Sequence, residues 1–459
     1  MHLEYASLQK TVQHMVVFGA GFVGGPLAVT LAFHNPGIRF TVVDSDRRRV
    51  DQWSSPFLDL PIREPGLDKL ITDVRGRSRQ QLQFCSHIAP DVLFKAQMII
   101  LCLPCPLQSS TTQVKSTIET LRGIIRHAGP GTIIAQKSTV PLGFGAAFQE
   151  LMLSDNRSDL TYLSAPEFLS ETCALDDLTS PSRLLIGIPS PATKHVMAAR
   201  TYVALHLSFL PATTPIIFVS VPTAELAKLT ANTLLATRLT VVNTVAALAD
   251  RTPGAEVGDI SRIVGLDPRI GGEYLRAGPG IGGSCLLENV EMLAGGAQEA
   301  GLGEEAELLG CVSEVARRRP RQWAETMLRR LESILSGEYE REARLAGQKI
   351  VVLGYAFKAN SADVRNTPAK GVVEVFLERS LDVLVWDPLV SAADKALATE
   401  AFAAYARRVG CGGSVAFVED VRRACRGALA VLQVVGHSEI TTLDRLGGVT
   451  GHERIIRLG

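Results

Sequence analysis

The sequence predicts an α/β protein in which two doubly wound domains are joined by a helical central domain. Three observations carry this. Short apolar runs alternate with helix-period segments through the first third of the chain, a long helix-forming stretch begins at Thr223, and a second β–α series opens at Lys349. At 459 residues the chain also exceeds what one ordinary core organises, so several domains are expected.

Taken in order, MVVFGAG, RFTVVDSD, MIILCLP, GTIIAQKS and LTYLSAPE each end an apolar run in a turn or polar cluster, as the strands of a parallel sheet do. Val16 to Phe33 is almost wholly apolar or glycine. Gly19, Gly21, Gly24, Gly25 and Pro26 make it a strand, turn and helix, not a membrane span. TAELAKLTANTLLATRLTVVNTVAALADR reads as one long helix, and helical sequence continues to about Ser336. The polar SGEYEREARLAGQK reads as a linker. KIVVLGYAF, DVLVWDP, ALAVLQVV and RIIRL then build a smaller C-terminal α/β domain. The expected domains are 1–222, 223–336 and 345–459, the first and third Rossmann-like.

Composition narrows the function. A hydrophobic content of 46%, a charged content of 20% and 40 glycines suit a globular enzyme, not a disordered chain. Lysine plus arginine (47) balances aspartate plus glutamate (47), so no global field recruits nucleic acid or an anionic membrane. The basic run Arg317 to Arg321 reads as a solvated helix end. No basic segment followed by an apolar stretch opens the chain, so a cytoplasmic location is expected. The eight scattered cysteines are then expected to be reduced, and Cys102-x-x-Cys105 reads as two ordinary thiols in preference to a redox pair. No metal site is expected.

Gly19-Ala20-Gly21-Phe22-Val23-Gly24 follows the strand Val16-Val17-Phe18 directly. The first glycine permits the tight turn, the second lets backbone approach a pyrophosphate, and the third lets the next helix pack with its N-terminal amides facing the phosphates. FTVVD then ends in Asp44, about twenty residues on, where a carboxylate binds both ribose hydroxyls. Asp44 repels a 2′-phosphate, which favours NAD over NADP; Arg47, Arg48 and Arg49 weaken that preference slightly.

Three constellations offer chemistry. Cys285 closes the run Gly278-Pro279-Gly280-Ile281-Gly282-Gly283-Ser284 and opens a helical segment, where a helix N-terminus stabilises a thiolate. The alternative is a buried cysteine after a glycine turn. On the long central helix, Glu225, Lys228 and Asn232 share a face, and Lys228 with Asn232 can bind an oxygen whose charge changes during reaction. A solvated polar face is the competing reading. Finally, Lys137-Ser138-Thr139-Val140-Pro141 and Pro166-Glu167-Phe168-Leu169-Ser170-Glu171 sit where strands of the first sheet end, and ligands bind at such ends.

These motifs, with EPGL from Glu64 to Leu67, GGSC, GYAFK…DVR and the Trp386-Asp387-Pro388 run, follow one another as in one family. The chain resembles the UDP-glucose/GDP-mannose dehydrogenase family, most closely its eukaryotic UDP-glucose branch. The resemblance implies NAD on the first domain, the nucleotide on the third, and a homo-oligomer, a dimer or higher, through the central one. It implies NAD-dependent oxidation of the C6 hydroxyl of UDP-glucose to UDP-glucuronate by two hydride transfers, through a thiohemiacetal and a thioester. By position, Cys285 is then the nucleophile, and Lys228 with Asn232 holds the C6 oxygen. Thr139 and Glu167 position water and move protons. NAD falls to Gly19, Gly21, Phe22, Val23, Gly24, Asp44, Arg49, Ser138, Thr139, Glu171 and Arg365. The nucleotide sugar falls to Glu167, Phe168, Leu169, Arg269, Tyr274 to Arg276, Gly282, Phe357 and Lys358.

The chain departs from the family pattern near the thiol. Where the family has a lysine–aspartate pair, this chain has Glu288-Asn289, and Asn289 can hydrogen-bond but cannot act as a base. Glu288 opposes a thiolate that lysine would favour. Leu103-Pro104-Cys105-Pro106 replaces the family's V-N-T-P, Ala165 replaces an asparagine, and Val434-Val435-Gly436 stands where T-E-W is usual. Two alternatives follow: a dehydrogenase for another nucleotide sugar, such as GDP-mannose or an N-acetylated UDP-sugar, or a low-activity or non-catalytic binding paralogue.

Overall fold

The computed structural model describes residues 7–104, 111–338 and 345–436, with backbone alone for 111–116 and 334–338. The chain forms two compact units, Met1–Thr230 and Ala231–Gly459. Cys105 and the RIIRL segment lie outside the described residues.

The first unit begins β1 (His14–Phe18), α1 (Gly24–His34), β2 (Arg39–Val43), α2 (Arg47–Ser54), α3 (Leu67–Arg77) and β3 (Leu82–Cys85). It continues with α4 (Pro90–Phe94), β4 (Met98–Leu101), α5 (Thr111–His127), β5 (Ile133–Gln136), α6 (Phe144–Ser154) and β6 (Thr161–Ser164). It closes with α7 (Ala174–Thr179), β7 (Leu184–Ile188), α8 (Thr193–Ala204) and β8 (Ile216–Ser220). The eight strands stand in the order β3-β2-β1-β4-β5-β6-β7-β8. The five strands expected from continuous apolar runs occupy the centre. All residues of β1, β4, β5 and β6 are buried, as helices on both faces of a parallel sheet require. Strand order reverses on either side of β1, which opens a crevice at the C-terminal ends of β1 and β4.

One feature differs from the expected parallel sheet: β7 meets β6 antiparallel, through Ser164 and Gly187. Gly187 lets β7 lie against both neighbours, because a Cβ there would come 3.1 Å from the Ser164 Cβ on β6 and 2.8 Å from the Ala224 methyl on the following helix. β3, β7 and β8 were not among the strands expected, although β7 and β8 carry apolar runs. Trp53 anchors the core beneath the glycine loop: it is fully buried, stacks on Phe84 at 5.0 Å and donates its indole N–H to the Ala20 carbonyl.

The 29-residue helix α9 (Val221–Ala249) contains the boundary between the units. The second unit continues with α10 (Val257–Gly265), α11 (Cys285–Glu299) and α12 (Gly303–Glu338). Then come β9 (Lys349–Leu353), α13 (Pro368–Glu378), β10 (Asp382–Trp386), α14 (Ala392–Val409), β11 (Ser414–Phe417), α15 (Val421–Cys425) and β12 (Ala430–Gln433). The four strands are parallel in the order β11-β10-β9-β12. The Arg317 to Arg321 run corrects the helix-end reading, for it lies in the middle of α12. There Arg317 pairs with Glu291, Arg318 with Glu314 and Arg321 with Glu378, while Arg319 is buried and donates to the Gly278 carbonyl. Among the described residues no helix is long and apolar enough to cross a membrane, and no group of metal-ligating side chains occurs.

Candidate active site

Gly19 follows β1 with φ of +99°, in the left-handed region that glycine tolerates, and a Cβ there would come within 2.3 Å of the Cys102 carbonyl oxygen. Gly24 opens α1 so close to the same turn that a Cβ would meet the Gly19 oxygen at 1.9 Å. Over Gly21, by contrast, nothing lies within 4 Å of a Cβ position, so the backbone there faces open space. Two glycines are thus demanded by packing, and the third leaves a cradle a phosphate can enter. Asp44, one residue past β2, is buried and accepts from the Ala20 and Asp46 amides at 2.7 and 2.9 Å. Arg49, on α2, reaches both Asp44 oxygens at 2.9 and 3.1 Å. The cradle and this fixed carboxylate fit NAD, and Arg49 offsets part of the charge that would exclude a 2′-phosphate.

At the ends of β5 and β6, Lys137 is held by its amide on the Leu101 carbonyl at 2.9 Å, and Ser138 and Thr139 follow half-buried. Glu167 faces Lys228 Nζ at 3.1 Å, with side chains 11% and 5% exposed, and its other oxygen accepts the Leu169 amide. Phe168 carries the Arg183 guanidinium 3.6 Å over its ring and Lys228 at 5.2 Å. Glu171 is half-buried nearby in the chain. Glu225 acts elsewhere, for its oxygens accept the Gly143 and Gly145 amides at 2.9 and 2.7 Å and so cap α6. Burial pushes its carboxyl up, partly offset by those amides.

In the second unit Cys285 is the first residue of α11, and it is exposed and in no disulfide. Ahead of it, Gly283 has φ of +75° and donates to the Arg365 carbonyl at 3.2 Å. A Cβ on Gly282 would meet Phe357 at 2.8 Å and Pro368 at 2.9 Å, so the glycines let Phe357 lie against this turn. The segment that carries Phe357 is fixed by Asp387, fully buried, which accepts the Tyr355 and Ala356 amides at 2.7 and 2.9 Å. The Trp386-Asp387-Pro388 motif therefore shapes the Phe357–Lys358 loop. Asn289 is buried; it donates to the Cys285 carbonyl at 2.6 Å and accepts from Asn232 at 3.2 Å. Burial pushes the Glu288 carboxyl up, while Arg365 and Arg317 pull it back, so its opposition to a thiolate is softened by two neighbouring cations.

The structure thus joins Glu167 with Lys228 and Phe168 in the first unit, and Cys285 with Asn289 and Asn232 in the second. Arg365 is 68% exposed and pairs with Asp363, and Arg269 is exposed on Asp267. Tyr274 has φ of +58°, and Arg276 is exposed beside it. The loop carrying them is tied down by residues no motif marks: Arg238 donates to the Ile270 and Gly271 carbonyls, and Asn243 accepts the Gly278 amide. Lys137 also escaped assignment, although it is 5% exposed and opens the Lys-Ser-Thr-Val-Pro motif.

Three family models match the chain: the UDP-glucose/GDP-mannose dehydrogenase family NAD binding domain at residues 13–206, its central domain at 222–318 and its UDP binding domain at 351–456. A UDP-glucose 6-dehydrogenase of Caenorhabditis elegans is 30% identical over 445 residues, spanning 94% of this chain and 88% of the relative. UDP-glucose 6-dehydrogenase 5 of Oryza sativa subsp. japonica is 33% identical, over 81% of this chain and 75% of its own length. Among solved structures, a UDP-glucose dehydrogenase from Pyrobaculum islandicum superposes with a TM-score of 0.75 at 26% identity, covering 94% of this chain and 92% of that one.

Proposed function

Since this chain belongs to the UDP-glucose/GDP-mannose dehydrogenase family, whose first domain binds NAD, we propose that it oxidises the C6 hydroxyl of UDP-glucose to the carboxylate of UDP-glucuronate. The observation that carries the reading is Cys285, an exposed thiol on the first residue of a 15-residue helix, where the N-terminal dipole favours a thiolate. NAD, which the Gly19–Gly24 turn and Asp44 would hold, would supply the acceptor for each hydride. Lys228 and Asn232, one turn apart on α9, hold the C6 oxygen and stabilise its developing charge. The Cys285 sulfur adds to the C6 aldehyde as a thiohemiacetal, and loss of hydride leaves a thioester. Thr139 and Glu167 position water and move its protons; hydrolysis breaks the C–S bond and restores the thiolate. Arg269, Tyr274, Arg276, Gly282, Phe357 and Lys358 hold the nucleotide.

Residues 1–222, 223–336 and 345–459 then serve as the NAD, helical dimerisation and nucleotide domains. An exposed apolar stripe supports oligomerisation: Leu234, Val241 and Leu248 on α9 are 60%, 56% and 60% exposed and seven residues apart. The test is incubation with NAD and a panel of UDP- and GDP-sugars, following NADH and product mass. A uronate mass and two NADH per sugar with UDP-glucose are expected, and turnover of a different sugar alone overturns the substrate.

One observation favours a second reading. The Asn289 amide is committed to the Cys285 carbonyl and cannot accept a proton, so hydrolysis of the thioester is slow. A burst of NADH that then stalls, with acyl-enzyme detected by mass, is the signature of that case.

A further inference from the structure

Glu167 also lines a cavity of about 300 Å³ within the first unit, walled by Lys137, Phe168, Asp177, Arg183 and His206. Ser180 and Ser182 at its rim are exposed, so the cavity reaches solvent. His206 follows α8 and is 3% exposed. Its Nδ1 lies 2.9 Å from the Tyr202 carbonyl, which only accepts, so Nδ1 carries the hydrogen. Burial, with Lys137 nearby, holds the imidazole down to about 3, and the ring is neutral. Nε2 is therefore a bare acceptor, buried and without a hydrogen-bond partner in the protein.

Leaving a buried acceptor unmet is unfavourable, and such atoms are commonly satisfied by ordered water. At about 30 Å³ per molecule the cavity has room for several. Titratable groups line it on both sides. Two lysine side chains, Lys137 and Lys228, share one carboxylate, Glu167, while burial pushes the Cys102 thiol up to about 12 and leaves it uncharged. Burial also lowers Lys137 and raises the Tyr202 hydroxyl. On the outer side, Asp177 accepts the Ser170 amide and is raised by burial, and Arg183 is stacked on Phe168.

We propose that Lys137 and His206 Nε2 hold a file of water in this cavity that carries protons from Glu167 to solvent, with His206 as a positioning residue. The inference rests on the acid–base role given to Glu167 above. Protonated Glu167 gives its proton to the adjacent water, each water passes one of its own onward, and the last is released at the Ser180–Ser182 rim. A donor at Lys137 and an acceptor at Nε2 orient the file; Nε2 accepts a hydrogen bond throughout and takes no proton. Oxidation of an alcohol to a carboxylate releases protons at each stage, so a buried carboxyl needs such an exit.

The test compares His206→Leu, which deletes the acceptor, with His206→Gln, which keeps one at similar reach. We expect kcat of the leucine variant to fall about tenfold, KM for both substrates to stay within about twofold, and the solvent deuterium isotope effect on kcat to rise; glutamine restores kcat to within about threefold. Equal behaviour of the two variants, or a leucine variant matching the parent, overturns the proposal. Should the leucine variant fail to fold, Lys137→Gln is expected to show the same raised isotope effect at unchanged KM, and an unchanged effect is refuting. If the parent protein oxidises no sugar of the panel, the substrate reading fails by itself. The cavity is then judged by a crystal structure at neutral pH: water on Nε2 supports the file, and a dry cavity overturns it.

Discussion

Replacing Asn289 by aspartate sets stability against chemistry at one atom. Asn289 is 3% exposed, and its Nδ2 donates to the Cys285 carbonyl at 2.6 Å while Oδ1 accepts from Asn232. In Asn289→Asp an oxygen replaces that donor, so acceptor faces acceptor at contact distance. The lost buried bond costs about 1–3 kcal/mol, and a desolvated charge adds to it. Asn289 lies beyond the first turn of α11, where the helix dipole returns only a few tenths of a kcal/mol. A net loss of about 2–3 kcal/mol at neutral pH lowers Tm by roughly 4–12 °C for a unit of this size. Burial and the facing carbonyl raise the introduced carboxyl above its unfolded value, and its protonated form donates to the Cys285 carbonyl. The penalty is thus absent in acid and grows as pH rises through the raised pKa. Catalysis moves the other way, because only the ionised form accepts a proton from water; thioester hydrolysis should gain about a hundredfold at the higher pH. Thermal melts and single-turnover acyl-enzyme decay, run across one pH series, read both. A variant that melts like the parent at neutral pH would refute the carbonyl contact, and unchanged decay would refute Asn289 as the limit on hydrolysis.

Other consequences can be checked alongside. Cys285→Ser should abolish multiple turnover while leaving NAD binding intact, and full activity would remove the covalent mechanism. Glu225 is raised by burial, so its contribution to stability is fullest in acid and is lost as pH rises through the raised value; Glu225→Gln should flatten that limb of the pH–Tm curve and cost about 1 kcal/mol of α6 capping in acid. Val241→Asp, on the exposed stripe, should shift mass photometry toward monomer without lowering NAD affinity, and an unshifted mass would place the interface elsewhere.

The sequence showed five adjoining strands of the first sheet and three of the four strands of the second. β1, β4 and β5 are buried on both faces, so their apolar runs are continuous and visible. β3 and β11 are four-residue edge strands with one buried residue between them, so neither builds a run; β8 does carry one, Ile216 to Val219, half-exposed at the sheet edge, and it was passed over all the same. The antiparallel turn of β7 depends on Gly187 meeting Ser164, Val221 and Ala224, a contact between distant segments that no local pattern encodes. The same holds in the candidate site. The helix start at Cys285 was legible because glycines precede it, whereas His206 sits in no motif and matters only through the cavity it faces.

The polar face of α9 shows what decided between the two readings of such a face. A solvated face predicts exposed side chains, yet Glu225 and Lys228 are 2% and 4% exposed. Each meets a different demand from the chain around it. Glu225 answers two amides at the start of α6, more than seventy residues earlier, and Lys228 answers the carboxylate at the end of β6. Asn232 donates to Asn289 and so leaves its own oxygen free to face a ligand. Helical spacing told only that the three share a face. Whether a member caps, pairs or binds depends on which groups its partners leave unmet. A residue whose hydrogen bonds close within the protein, as those of Glu225 do, is structural; Asn232 and His206 each keep an acceptor unspent, and those are the atoms where substrate or water is expected.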